Sequence, residues 1–229
     1  MLDAYIYDGL RTPIGRHAGK LAGIRPDDLA GLVIAEVVKR NAVKPEEISD
    51  VILGCVTQAG EDSRNVARFA TLASGLPPSV PAVTVNRLCA SGLQATVDAA
   101  RAITCGEGTL YIAGGTESMT RAPYVTSKPQ SAYGRDAKMY DTTIGSRFTN
   151  PRVAKQYGDH AMAQTADNVA KECNVSREQA DTYALNSQLK YAAAEKDGFY
   201  KGEILPRPEE HTSELQSRQY LVCSLLLEK

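Results

Sequence analysis

Short β-rich apolar runs alternate with longer segments of helical periodicity through the first 120 residues, and this alternation most narrows the folds open to the chain. The apolar runs occupy residues 4–8, 50–56, 81–88 and 109–113, and the helical segments occupy residues 27–40, 63–74 and 91–104. Strands that alternate with helices along the chain form layers, in which helices pack on a sheet. The pattern therefore predicts a layered α/β domain.

Apolar spacing also predicts which face of each helix is buried, because residues three or four positions apart lie on the same side of a helix. The predicted buried face of the first helix comprises Leu29, Leu32, Val33 and Val37. The predicted buried face of the helix at 91–104 comprises Leu93, Val97, Ala100 and Ile103.

The pattern changes after the first 120 residues. Residues 121–160 are polar and show little periodicity, which is typical of a long segment that carries function or an interface. Helical periodicity returns at 162–172 and 178–196, and Ser176 with Gln179 has the spacing of a capping box before the second of these helices.

Charge and cysteine usage exclude several classes of protein. A formal net charge of -1 gives no electrostatic basis for binding nucleic acid or an anionic membrane. No run reaches the roughly 18 apolar residues of a membrane span, and the opening lacks the layout of a signal peptide, so we expect a cytoplasmic protein. The five cysteines and three histidines are scattered and never spaced as CxxC, which predicts neither a disulfide framework nor a metal site.

Cys89 is the candidate for chemistry, because it stands between a predicted buried strand and a predicted helix. The free N–H groups and the partial positive charge of a helix N-terminus favour a thiolate over a thiol. On position alone, a buried structural cysteine remains the alternative. We assign Cys55, Cys105 and Cys173 to packing. For His17 and His160 we favour a position on the surface or in a loop over the alternative role of catalytic base.

Four segments, in order and with matching spacing, resemble the thiolase family. They are DGLRTPIGRHAGKLAG at the start, GCVTQAGEDSRNVARFATLASGLPPSVPAVTVN after it, VNRLCASGLQA around Cys89, and IAGGTESMTRAPY about 25 residues further on. Together they cover roughly residues 1–206. QAGEDSRNVAR and YDTTIGSRFTNP are most similar to the 3-oxoadipyl-CoA thiolases within that family.

The resemblance implies a fold of two similar α/β halves in five αβαβα layers, of which this chain holds the N-terminal half and an inserted loop domain. Residues 1–120 would be the N-terminal domain and 121–206 a partial loop domain that helps to bind coenzyme A. Cys89 would carry the acyl group and its backbone N–H would form part of an oxyanion hole, and Met162 lies in the stretch similar to the CoA-contacting segment. Coenzyme A would be a substrate, with no further cofactor, and full-length members form dimers or tetramers.

The chain also departs from the family pattern. The NEAF segment, the GHP-type histidine and the CxG cysteine of the family's second half do not occur in it. Residues 207–229 resemble no thiolase segment, and we expect foreign or frame-shifted sequence from about Arg207. Two alternatives stay open: a truncated, non-catalytic fragment, and a decarboxylating ketoacyl synthase of the same fold, against which the QAG and GGTESM segments argue.

Overall fold

A computed structural model describes residues 4–205 and 223–228, so most of the predicted tail at 207–229 lies outside the described residues. The described residues form two compact units. The first unit comprises 4–122 with 202–205 and 223–228, and the second comprises Pro123–Lys201.

The first unit contains five strands and three helices. Its strands are β1 (Tyr5–Arg11), β2 (Asp50–Gly54), β3 (Ala82–Val85), β4 (Leu110–Gly115) and β7 (Cys223–Glu228), and its helices are α1 (Pro26–Arg40), α2 (Val66–Ala73) and α3 (Ser91–Cys105). The strands form one sheet in the order β1-β7-β4-β2-β3. β2 pairs in parallel with both β3 and β4, whereas β7 is antiparallel to β1 and β4. The predicted layered α/β class is confirmed.

Both faces of β2 are buried, and this divides the core in two. Val51 and Leu53 pack in a cluster with residues of α1 and α2, while Ile52 packs with residues of α3. Alternate residues of a strand point to opposite faces of the sheet, so a continuous apolar run is what a strand covered by helices on both faces requires.

The predicted buried faces of the helices are right in part. Leu29, Val33 and Val37 of α1 are fully buried, but Leu32 is 38% exposed. In α3 the buried face is Ala95, Ala99 and Ile103, and Leu93 is 68% exposed, contrary to prediction. The two alanines let α3 approach the sheet closely, where larger side chains on the same face would hold the helix away.

The start of α2 and the end of β3 differ from their predicted positions, each for an identifiable reason. The helix predicted from residue 63 begins at Val66, because the Asn65 side chain caps it by accepting a hydrogen bond from the Arg68 N–H. The strand predicted over 81–88 ends at Val85, since the next residues form a turn. Strand β7 was not predicted from its sequence.

The second unit contains a hairpin of β5 (Tyr124–Thr126) and β6 (Met139–Asp141), followed by helices α4 (Pro151–Tyr157), α5 (Met162–Glu172) and α6 (Arg177–Lys196). The hairpin and α4 lie in the segment at 121–160, where little periodicity was found and no element was predicted. The predicted capping box is present: the Ser176 hydroxyl accepts from the Gln179 N–H, and the Gln179 side chain accepts from the Ser176 N–H.

The burial of β2 makes a direct stability prediction. Leu53 is fully buried, so Leu53→Ala should lower the free energy of unfolding by about 2–5 kcal/mol, through lost transfer free energy and the cavity left behind. The control Leu93→Ala removes an exposed leucine and should change stability by about 0.5 kcal/mol or less. Urea denaturation followed by circular dichroism measures both, and equal losses would contradict the burial.

Candidate active site

Cys89 lies in a turn of residues 86–90 that joins β3 to α3, and its side chain is exposed. It is separated from the first residue of α3, Ser91, by the N-cap residue Ala90. The residue before it, Leu88, has a φ of +49°. A left-handed backbone conformation costs a residue with a Cβ roughly 1–2 kcal/mol, so the surrounding contacts must hold the turn in place.

Ser91 supplies two of those contacts, although the sequence did not single it out. Its hydroxyl accepts a hydrogen bond from the Arg87 N–H at 2.8 Å and donates one to the Leu88 carbonyl at 2.6 Å. The Ala90 N–H also donates to the Arg87 carbonyl at 3.1 Å. The hydroxyl is nearly buried, and the turn that presents Cys89 is therefore closed from the helix side.

Glycines at the ends of two strands allow close backbone contacts next to this turn, Gly54 with the start of α3 and Gly115 with Gly54. A Cβ built on Gly54, the last residue of β2, would lie 2.4 Å from the Ser91 carbonyl carbon and 2.5 Å from the Gly92 nitrogen. A Cβ on Gly115, its neighbour on β4, would lie 2.9 Å from the Gly54 oxygen. These clashes involve backbone atoms, so only glycine fits at the end of β2 next to the start of α3.

Cys55, Cys105 and Cys173 differ from Cys89 in their surroundings. Cys55 is buried, as predicted, and its burial, with the nearby charges of Glu117 and Asp62, raises the pKa of its thiol to about 12. Cys105 and Cys173 are exposed, so their assignment to packing is wrong. Both lie at helix C-terminal ends, whereas Cys89 lies just before a helix N-terminus.

Acidic residues lie close to one another in the loops that follow β2 and β4. Burial, and the nearby charge of Glu117, raise the pKa of the Asp62 carboxyl. Glu61 has the opposite shift: hydrogen bonds from the Arg121 guanidinium lower the pKa of its carboxyl, and Arg25 lies within 3.3 Å of it. The cluster thus combines one carboxylate held ionised by arginines with one whose ionised form is disfavoured.

The remaining predicted residues lie apart from this turn in the chain. His17 is exposed in the first unit, and His160 is exposed in the second. Met162 is the first residue of α5 in the second unit and is 77% exposed. Among the described residues, no group of three or more His, Cys, Asp or Glu side chains could hold a metal ion. No described helix has both the length and the apolar character to cross a membrane.

The close approach of β2 to α3 predicts the effect of one added methyl group. Gly54→Ala should displace the start of α3, lowering both the melting temperature and the alkylation rate of Cys89. Gly23→Ala is the matched control, since a Cβ on Gly23 would have nothing within 4 Å. Circular dichroism and peptide mapping after iodoacetamide treatment measure the two effects, and a Gly54→Ala chain that matches the control would contradict the geometry.

The raised pKa of Asp62 predicts that removing its charge stabilises the fold, by an amount that depends on pH. Because its pKa is raised in the folded chain, stability present below the ordinary Asp pKa of about 3.9 is lost as pH rises through the folded value. Asp62→Asn should therefore raise the melting temperature near neutral pH, with a gain that shrinks as the solution becomes acidic. The exposed Asp167 provides the control Asp167→Asn, which should show little gain at any pH. A gain independent of pH would refute this account of Asp62.

Comparison with known proteins assigns the family. Residues 4–217 match the family described as thiolase, N-terminal domain. The beta-ketoadipyl-CoA thiolase of Escherichia coli is 55% identical over 207 residues, which are 90% of this chain and 52% of that protein. The enzyme of the same name from Pseudomonas putida is 54% identical over the same shares of the two chains.

A solved structure agrees with this assignment. The crystal structure of human mitochondrial 3-ketoacyl-CoA thiolase in complex with CoA superimposes with a TM-score of 0.83 at 28% identity, covering 98% of this chain and 64% of that one. The chain spans about half the length of the curated relatives it matches. By the extent of the family match and the identity to these relatives, the chain belongs to the thiolase family and represents its N-terminal domain.

Proposed function

We propose that the chain provides the acyl-accepting half of a thiolase, with Cys89 as the nucleophile that carries the acyl group. The observation that supports this most directly is the placement of Cys89: an exposed thiol on a clamped turn immediately before helix α3. By contrast, Cys55 is buried, and Cys105 and Cys173 lie at the C-terminal ends of helices. Family membership gives this thiol its chemistry, because thiolases exchange acyl groups between thiols.

The proposed reaction begins with attack of the Cys89 thiolate on the 3-keto carbon of a 3-ketoacyl-CoA. A bond forms between sulfur and that carbon, and the bond between C2 and C3 of the substrate breaks. The electron pair of the broken bond stays on the departing acetyl-CoA as an enolate, which then takes up a proton. The sulfur of a second CoA, as thiolate, attacks the acyl-cysteine, releases the shortened acyl-CoA and regenerates the Cys89 thiolate.

The start of α3 favours both steps. In the proposal, the positive end of the α3 dipole helps to stabilise negative charge at Cys89, and the Cys89 N–H donates to the oxygen that becomes negative in the tetrahedral intermediate. In the part of the chain that the structure describes, the Cys89 N–H has no hydrogen-bond acceptor of its own. A donor without a competing acceptor needs no rearrangement to bind the oxyanion.

Proton transfer to carbon is a separate requirement. In the described part of the first unit the histidine is His17, which is exposed and forms no hydrogen bond with Cys89. This observation favours a second candidate function, in which the chain by itself is a non-catalytic thiolase portion. Under both candidates, transfer of an acyl group between CoA and Cys89 is the step that these residues can support without a carbon acid or base.

The names of the relatives support a narrower substrate. Beta-ketoadipyl-CoA thiolases are above 50% identical to this chain, so we propose 3-oxoadipyl-CoA as the substrate and succinyl as the group that Cys89 carries. We propose that this reaction belongs to the degradation of aromatic acids, as the resemblance to 3-oxoadipyl-CoA thiolases implies. Coenzyme A is then a substrate rather than a bound cofactor, and we propose that Met162 on α5 contacts it in an assembly of two or four subunits.

Acylation of the purified chain tests the proposal. Incubation with succinyl-CoA should form a thioester at Cys89, with release of CoA thiol, and Cys89→Ser should abolish it. Cys105→Ser is the matched control, because it removes another exposed thiol and should leave the rate unchanged. Intact mass and peptide mapping give the site. Labelling of Cys105 or Cys173 at the same rate would show that Cys89 has no special reactivity and would overturn the proposal.

A further inference from the structure

A continuous chain of hydrogen bonds leads from the end of β4 to the residue before Cys89. The Glu117 carboxylate accepts from the Val56 N–H at 2.7 Å and from the Thr57 N–H at 3.0 Å. On the other side, the Asn86 amide nitrogen donates to the Val56 carbonyl at 3.1 Å. The Asn86 side-chain oxygen then accepts from the Leu88 N–H at 2.9 Å.

The middle of this series of hydrogen bonds is one peptide unit. The Val56 carbonyl and the Thr57 N–H belong to the same peptide bond, so Glu117 and Asn86 bind its two ends. A negative charge on the N–H side polarises the peptide and makes its carbonyl a stronger acceptor. The carboxylate of Glu117 therefore strengthens the bond that holds Asn86, although the two side chains do not touch.

Asn86 is also held in a single amide orientation. Its nitrogen faces a carbonyl and its oxygen faces an N–H, so turning the amide over would place like groups together at both ends. The N–H that it accepts from belongs to Leu88, which has a φ of +49°. A fixed acceptor at this point keeps Leu88 in its left-handed conformation.

We propose that Asn86 and Glu117 are positioning residues for Cys89, acting through the Val56–Thr57 peptide and Leu88. Because Leu88 and Cys89 share a peptide bond, the conformation of Leu88 sets the direction in which the Cys89 N–H and side chain point. The inference rests on the proposed acyl transfer, where that N–H binds the oxyanion. Ser91 closes the turn from the helix side, and Asn86 ties the same turn to the sheet.

The chemistry separates positioning from simple stabilisation. Acylation of Cys89 needs an oriented N–H at the tetrahedral intermediate, whereas alkylation by iodoacetamide needs only a thiolate with access to the reagent. Loss of positioning should slow acylation more than alkylation. A general loss of folding would change both reactions, together with the melting temperature.

The experiment compares five variants of the full chain: Asn86→Ala, Glu117→Gln, Leu88→Gly, the double variant Asn86→Ala with Leu88→Gly, and the control Gln94→Ala on α3. Gln94 lies in α3 and donates to Asp98, outside the hydrogen-bond chain. The acyl donor is the succinyl thioester of N-acetylcysteamine, and both rates are read at Cys89 by peptide mapping. Amide hydrogen exchange of Leu88, measured by nuclear magnetic resonance, reports the turn directly.

Asn86→Ala should lower the acylation rate about tenfold or more, since small misplacement of reacting groups has effects of up to about 100-fold. Its alkylation rate should stay within about threefold of the original chain. Leu88→Gly should restore most of the acylation rate in the double variant, because glycine adopts a positive φ without a side chain to oppose it. Glu117→Gln should speed exchange of the Leu88 amide although it lies three hydrogen bonds away.

Three results would overturn the inference: an unchanged ratio of acylation to alkylation in Asn86→Ala, no recovery on adding Leu88→Gly, or Leu88 exchange that is the same in Asn86→Ala and Glu117→Gln as in Gln94→Ala. Failure of the proposed function has a different signature. If the unchanged chain is alkylated at Cys89 but never acylated, acyl transfer is refuted, and the Leu88 exchange rates still decide whether Asn86 and Glu117 hold the turn.

Discussion

The structure of the first unit depends on the contact between the end of β2 and the first turn of α3. Gly54 places backbone against backbone there, with no room for a Cβ. This contact needs a sheet whose neighbouring strands are parallel, since only then do the ends of β4, β2 and β3 meet at one edge. It also needs a helix that can lie close to the sheet, which the buried Ala95 and Ala99 allow.

Position relative to a helix distinguishes Cys89 from Cys105 and Cys173, whereas solvent exposure does not. Cys89, Cys105 and Cys173 are all exposed, so access to solvent does not distinguish them. Cys89 precedes a helix, whereas the other two are at helix C-terminal ends, and the helix dipole acts with opposite sign at the two ends. Cys55 is inaccessible because it is buried, and burial together with neighbouring carboxylates raises the pKa of its thiol.

The sequence predicted the class of fold, the order of strands and helices from β1 to β4, and Cys89 as the candidate for chemistry, because periodicity and motif spacing are local properties. It did not predict the residues that hold the turn at Cys89. Asn86, Ser91 and Glu117 act through partners 2 to 61 positions away in the chain, and nothing in their neighbourhood marks those partners. Gly54 is similar, since its need for glycine arises from a helix that begins 37 residues later.

The buried face of α3 was mispredicted for a related reason. Periodicity places Leu93 with other apolar residues, but the helix rotates so that two alanines meet the sheet and Leu93 faces outward, beside the turn that carries Cys89. Close packing of a helix on a sheet depends on the shape of both surfaces, and a helical pattern alone contains only one of them. The loop segment shows the same limit, because its hairpin pairs residues 13 to 17 positions apart without an apolar alternation to signal it.

Acyl transfer and carbon–carbon chemistry place different demands on a thiolase, and the function proposed for this N-terminal domain depends on that difference. In thioester exchange, the attacking and the leaving groups are both thiolates, so a positioned sulfur and an oxyanion donor meet most of the requirement. Breaking or making a bond to carbon needs a proton moved to or from that carbon, and a base must be placed against it. In the proposed function, the turn at Cys89 supplies the first set of groups, and its contacts lie within a single unit, through Ser91 on the helix side and Asn86 on the sheet side.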